Sequence, residues 1–354
     1  MQDEESIRIC LGYPALFQER LEERLRAIDS RIEVIRLPVD PDSDWGSDTP
    51  HLPHDEPPTW ALGQASARRQ ALECAEVLFT LSTPNGLMEL APRLRWIQGV
   101  GAGTEQFVAA GVRRDRVVVT NASGVSAGSM AEFVIGRLLQ IWKRFPEADR
   151  NQRAHDYIRT YGRTFAGSVL GIVGLGSIGQ AVGERARALG LTVLGLKRTP
   201  IAPDGTAAQA SVAHEVFGPD QLHDMLSRCD AVVVAAPATP ETQHIIDSKA
   251  LAAMKSGAVL VNVARGSLVD TTAMLESLAN KHLAAAVLDV FDEEPLPKDS
   301  PLWDAENVFI SAHSSVSVDR YIDDIFDLFE DNVKRYLRQE PLRNQIDMAA
   351  LGFS

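Results

Sequence analysis

Residues 169–199 read VLGIVGLGSIGQAVGERARALGLTVLGLKRT, and the fold turns on this stretch. The apolar run Val169 to Val173 has the composition of a buried strand. Gly174, Gly176 and Gly179 follow as G-x-G-x-x-G, and Ile178, Val182, Ala186 and Leu189 recur at helical spacing. A second apolar run, Leu191 to Leu196, completes a β-α-β unit with parallel strands. Gly174 permits the tight turn, Gly176 lets backbone approach a pyrophosphate, and Gly179 lets helix and strand pack closely. Free N–H groups and a partial positive charge at the helix start then suit phosphates. Glycines also serve ordinary turns, so the motif alone is weak. Strand, loop, helix and strand in this order make it a dinucleotide site.

The end of the second strand bears on which dinucleotide. NAD-selective sites place a carboxylate about 20 residues on, to accept from the ribose 2′-OH. Here Lys197, Arg198 and Thr199 stand at the tip, and no acid. Arg198 as a fork and Lys197 as a point charge suit a 2′-phosphate. NADP is therefore the expected cofactor and NAD remains possible; the competing reading is a solvated basic turn.

A chain of 354 residues can hold two domains with separate cores, and 45% hydrophobic with 23% charged residues is ordinary for a globular protein. The net charge of −13 argues against nucleic acid and anionic membrane as partners. It leaves an anionic small molecule open, because local cations govern such sites. Cys10, Cys74 and Cys229 lie far apart with no metal-ligand spacing, so reduced thiols and no metal are expected. Met1-Gln2-Asp3-Glu4-Glu5 is acidic and leads into a strand, which predicts no signal peptide, and no apolar run is long enough for a membrane span. The expected compartment is the cytoplasm.

Ile7–Leu11, a helical stretch from Pro14 to Ile28, and Ile32–Leu37 form another β-α-β alternation. Residues 38–58, rich in Asp, Pro, Ser and His, read as an exposed insertion; metal binding through His51 and His54 is the weaker reading. Ala65–Ala75 is helical in pattern, Val77–Leu81 a strand, and residues 82–86 a turn at its carboxyl end. Arg95–Gln98 leads into Gly99-Val100-Gly101-Ala102-Gly103-Thr104, a loop that either admits an anion to its N–H groups or merely turns the chain. After the strand Val117–Asn121, one long helix is expected from Ser129 to about Arg153, with Ser129 and Glu132 as a capping box. Residues 201–219 read as loop and Asp220–Arg228 as helix. Ala231–Ala236, Ala258–Val263, Ala284–Val290 and Val308–Ser311 read as buried parallel strands. The tail from Val318 to Leu337 is amphipathic, with Ile322, Ile325, Phe326, Phe329, Val333 and Tyr336 on one face, and is expected to pack back on the N-terminal domain.

Three polar residues follow strands at carboxyl ends: Arg265, Glu294 and His313. Singly they read as a surface cation, an acidic-loop residue and a loop histidine. Together they suit 2-keto acid chemistry. An arginine can hold a carboxylate and polarise a carbonyl, a histidine can move a proton near neutral pH, and a carboxylate beside it favours the charged ring and orients it.

The runs LVNVARGSLVD (260–270) and LDVFDEEPL (288–296), with Gly171–Gly179 and Val232–Thr242, closely resemble the D-isomer-specific 2-hydroxyacid dehydrogenase family. The resemblance extends from Leu94 to Val318. It implies that His313 is the general acid in reduction, Glu294 its partner and Arg265 the substrate anchor. It further implies Ala102 and Gly103 as a carboxylate-binding backbone loop. Ser177 and Ile178 would lie at the pyrophosphate, and Pro237 on the adenosine side. Ala236, Thr242, Val263, Ala264, Arg265 and His313 would lie at the cofactor, and Asp289 at the nicotinamide amide. The implied fold is α/β, with two Rossmann- or flavodoxin-like doubly wound parallel-sheet domains. The cofactor domain (124–313) is inserted into a discontinuous substrate domain (1–123 and 314–354), and the implied assembly is a homodimer. Two features depart from the family pattern: Ala312 stands where proline usually precedes the histidine, and Val316 where glycine is usual. Lys197-Arg198-Thr199 resembles the NADP-using glyoxylate and hydroxypyruvate reductase branch.

The leading expectation is thus an NADPH-dependent reductase of small 2-keto acids. The alternative from another class is a dinucleotide-sensing protein like the corepressors that resemble this family, with tight cofactor binding and little turnover. Phosphoglycerate oxidation fits less well with the short tail after the last helix, and formate oxidation leaves the His–Glu pair without use.

Overall fold

The computed structural model describes residues 6–38, 65–84, 86–103, 107, 110–112, 116–198, 212–316 and 320–346. Most of the 38–58 insertion, with His51 and His54, lies outside the described residues, as do Asn85 and Thr199. In chain order the elements are β1 (Ile7–Leu11), α1 (Glu19–Arg26), β2 (Ile32–Arg36), α2 (Ala65–Cys74), β3 (Val77–Thr80), α3 (Leu87–Leu90), β4 (Trp96–Gly99) and β5 (Val118–Thr120). There follow α4 (Ala127–Trp142), α5 (Phe145–Ala154), β6 (Val169–Val173), α6 (Ser177–Ala188), β7 (Thr192–Leu196), β8 (Glu215–Phe217), α7 (Leu222–Ser227) and β9 (Ala231–Val234). The last are α8 (Ser248–Ala253), β10 (Ala258–Asn262), α9 (Thr271–Ala279), β11 (Leu283–Leu288), β12 (Val308–Ile310) and α10 (Tyr321–Leu337). The chain divides into two compact units, Met1–Val125 with Val318–Ser354, and Ser126–Ser317.

The second unit is a seven-stranded parallel sheet in the order β12-β11-β10-β9-β6-β7-β8. The chain runs outward from β6 through β7 and β8, then returns to lay β9 on the other side of β6. That reversal is a topological switch point, where open α/β sheets bind ligands beyond the strands' carboxyl ends. Burial explains the near-continuous apolar strands. Val232, Val234 and Leu260 face one core with Met225, Leu251 and Met274 from the helices, while Val233, Val259 and Val261 face the other with Leu138 and Val182. Successive side chains point to opposite faces, so both must be apolar when both are covered.

The first unit is a five-stranded parallel sheet, β2-β1-β3-β4-β5. One face packs on α1 and α10, the other on α2, α3 and Phe107. The amphipathic tail therefore lies on the N-terminal sheet: Phe329 is fully buried with its ring 4.3 Å from Phe79 and 5.2 Å from Trp96. Arg24 fixes the register of α1 against α10 through Asp327 at 2.6 Å and Glu330 at 2.5 Å.

Three expectations need correction. The long helix after Ser129 is two helices, α4 and α5, separated by Arg144 in the left-handed region at φ 58°. Pro146 is the cause, since it has no N–H to give and its ring crowds the carbonyl four residues back. Ser129 does not cap: α4 starts after Ser126, the Ser129 hydroxyl donates to the Ser126 carbonyl, and Glu132 instead meets Arg185 at 3.3 Å. The stretch read as loop before residue 219 contains the edge strand β8, paired in parallel with β7. Three residues are too short for a periodic signal.

Candidate active site

The glycine loop leaves β6 at the switch point, and each glycine has its own constraint. Gly174 has φ +102°, and a Cβ there would stand 2.6 Å from the Ala236 amide nitrogen. A Cβ on Gly179 would stand 2.1 Å from the Gly174 carbonyl oxygen, so α6 starts hard against the turn. At Gly176 a Cβ would meet nothing within 4 Å. That open backbone face, beside exposed Ser177 and half-buried Ile178 in the first turn of α6, is what a phosphate needs, and these residues fit a dinucleotide.

At the tip of β7 the Lys197 N–H is tied to the Phe217 carbonyl at 3.0 Å, while Arg198 is exposed. Its charge reaches the loop after β9. The Glu241 carboxyl is held below its ordinary value of 4.5 chiefly by the Thr239 hydroxyl, with the Arg198 cation among the lesser causes. In the same loop Ala236 is buried and Pro237 exposed. The Thr242 hydroxyl donates to the Pro237 carbonyl at 2.8 Å and accepts the Thr239 N–H at 2.8 Å, so it closes the turn.

Beyond β10, Val263 and Ala264 are buried, and their N–H groups bond the Val234 carbonyl and Asn262 Oδ1. Asn262, missed in the sequence, also donates to the Arg265 carbonyl at 2.8 Å and so shapes the loop carrying the arginine. A polar residue ending a fully buried strand was the available signal. The Arg265 Nη1 donates to the Ala264 carbonyl at 2.8 Å. Gly266 lets this loop touch the next one: a Cβ there would stand 2.0 Å from the Phe291 carbonyl carbon. The Phe291 N–H in turn donates to Glu294 Oε1 at 2.8 Å, and Glu294 Oε2 lies 2.8 Å from His313 Nδ1. One carboxylate oxygen is anchored to backbone and the other orients the imidazole.

The histidine has an unusual backbone. His313 sits at φ 46°, a region that costs a residue with a β-carbon about 1–2 kcal/mol. Its side chain is 55% exposed, and Nδ1 is held by Glu294. Asp289, only 1% exposed, receives bonds from the residues around it, Ser311, Ser314 and Ser315. Ala102 and Gly103 belong to the other unit. There the Asn121 side chain donates to the Ala102 carbonyl at 2.7 Å, and the Ala122 N–H to the Gly101 carbonyl at 2.9 Å. Among the described residues no three potential metal ligands cluster, and no helix is long and apolar enough to cross a membrane.

A doubly wound α/β unit with a glycine-rich loop at its switch point and an oriented His–Glu pair defines a class, the dinucleotide-dependent proteins with a proton-transfer site. Residues 135–315, just over half of the chain, match the D-isomer specific 2-hydroxyacid dehydrogenase, NAD binding domain. The chain belongs to the D-isomer-specific 2-hydroxyacid dehydrogenase family. It is 33% identical over 264 residues to the D-3-phosphoglycerate dehydrogenase of Methanocaldococcus jannaschii, covering 74% of this chain and 49% of that one. It is 36% identical over 234 residues to the glyoxylate reductase of Thermococcus gammatolerans, covering 63% of this chain and 67% of that one. The chain spans about half the length of the phosphoglycerate dehydrogenases it matches. A D-isomer specific 2-hydroxyacid dehydrogenase from Xanthobacter autotrophicus, solved with NADPH and MES, superposes with a TM-score of 0.75. It is 28% identical and covers 98% of this chain and 99% of its own.

Proposed function

We propose that the protein is an NADPH-dependent D-2-hydroxyacid dehydrogenase acting as a reductase of small 2-keto acids, of the size of glyoxylate or hydroxypyruvate. The observation that carries this reading is the 2.8 Å contact between His313 Nδ1 and Glu294, on a histidine whose side chain is 55% exposed. Gly174, Gly176, Ser177, Ile178 and Gly179 would hold the pyrophosphate; Ala236, Pro237 and Thr242 the adenosine side; and Val263 and Ala264 the nicotinamide end. Lys197, Arg198 and Thr199 would bind the 2′-phosphate, and the absence of an acid at that tip favours NADPH over NADH. When bound, the reduced nicotinamide supplies a hydride to the keto carbon.

The chain's own residues do the rest. Arg265 pairs with the substrate carboxylate and polarises the keto oxygen, and Ala102 and Gly103 are proposed as substrate-binding backbone. His313 gives its proton from Nε2 to the oxygen as the alcohol forms. Glu294 steadies the charged ring before transfer and keeps it aimed. The domains are proposed as 1–123 with 314–354 for substrate and 124–313 for cofactor. We take the protein to be a cytoplasmic homodimer; Tyr157 at 97% exposure, Tyr161 at 75% and Ile158 at 59% form an apolar patch that a second copy would cover.

The test is NADPH and NADH oxidation with glyoxylate, hydroxypyruvate and bulkier 2-keto acids. Turnover with NADPH that drops about 10²–10⁴-fold in His313→Ala is expected. In Lys197→Asp/Arg198→Ala the preference should move toward NADH. No turnover across the panel with tight cofactor binding would overturn the reading in favour of a dinucleotide sensor.

A further inference from the structure

His313 is held in place by very little apolar packing: Ala312, His313 and Ser314 are all exposed. Its left-handed backbone, at φ 46°, is one that a side-chain-bearing residue avoids unless its surroundings impose it. The imposing group is Asp289, at the end of β11. Its backbone carbonyl accepts the His313 N–H at 2.8 Å. Its carboxylate accepts the Ser311 hydroxyl at 2.7 Å, the Ser314 N–H at 2.9 Å, the Ser315 N–H at 3.0 Å and the Ser315 hydroxyl at 2.5 Å. Ser315 is itself 4% exposed. These bonds grip the chain on both sides of the histidine, two residues before and two after.

We propose that Asp289, Ser311 and Ser315 are a clamp of positioning residues that forces His313 into the conformation in which its ring meets Glu294. The assignment rests on the reductase reading for its functional meaning. Four donors from one short segment share the Asp289 carboxylate, three on Oδ1 and one on Oδ2, on a residue 1% exposed. No proline stands before His313 to stiffen the approach, since residue 312 is alanine. The two serine hydroxyls supply by hydrogen bonding the restraint that a ring would supply covalently.

The experiment compares Ser311→Ala, Ser315→Ala, the double variant and Ser311→Thr in the full chain, each checked for folding by its thermal transition. The clamp predicts that kcat falls about tenfold or more in the double variant, since small displacements of an aligned group are costly. KM for NADPH should stay within about twofold, and Ser311→Thr should keep wild-type kcat because it keeps the hydroxyl. If the double variant does not fold, Ser315→Ala alone carries the comparison. A rise in KM for NADPH with kcat unchanged would show that the two hydroxyls serve cofactor binding and not the histidine, and would overturn the clamp. The ring signals of His313, assigned by their loss in His313→Gln, give an independent readout by NMR. They should shift or broaden when the hydroxyls are removed. If the wild type reduces no 2-keto acid, the reductase reading fails while these signals still decide the clamp, and unchanged signals would refute it.

Discussion

At the scale of single residues, the glycine loop and the carboxylates carry distinct expectations. Gly179→Ala sets a methyl against the Gly174 carbonyl. Overpacking of this kind costs about 1–3 kcal/mol, and the turn must open to relieve it. Urea denaturation should show the loss, and fluorescence titration should show weakened NADPH binding. Asp230 makes a pH-dependent contribution. Burial alone would raise its carboxyl, but the Val169 N–H at 2.8 Å and the cations of Arg163 at 3.3 Å and Lys255 at 3.4 Å outweigh it and hold the group below 3.8. A depressed carboxylate stabilises the fold above its unfolded value, about pH 4, and that stability is lost as pH falls through the folded value. The urea midpoints of wild type and Asp230→Asn should therefore differ at neutral pH and converge as pH falls below the ordinary carboxylate range. The glycines were legible in the sequence because steric need dictates their identity. Ser311 and Ser315 were not, because a serine's role depends on a loop conformation that no local pattern encodes.

At the scale of elements, β-strands buried on both faces announced themselves by composition, and the tail helix by its periodicity. Its strongest anchor is Phe329, wedged between Phe79 and Trp96. Phe329→Ala is expected to cost about 3–5 kcal/mol, measured as a lowered urea midpoint for the unit that contains β1 to β5. What the pattern concealed were interruptions. The apolar spacing of α4 continues toward α5, and only Pro146 marks the break at Arg144. The strand β8 is three residues long and was hidden beside Gly218 and Pro219. Periodicity reads the interior of a long element well, whereas its ends are set by caps, prolines and neighbouring strands.

For the whole molecule, the parallel order of both sheets followed from strand–helix alternation, and the switch point from where the glycine loop falls. The assembly is a matter of surface. If a second copy covers Tyr157, Ile158 and Tyr161, then Tyr157→Asp/Tyr161→Asp should convert dimer to monomer in sedimentation equilibrium without unfolding either unit. The three cysteines have a practical consequence. Burial pushes the Cys10 and Cys229 thiols up to about 12, so almost none of either is thiolate at neutral pH. Cys74, half-buried at the end of α2, is the one thiol a maleimide can reach in the native protein. The natural sequence thus already provides a single attachment point for a dye, and the appearance of two further reactive sulfurs would report opening of the cores around β1 and β6.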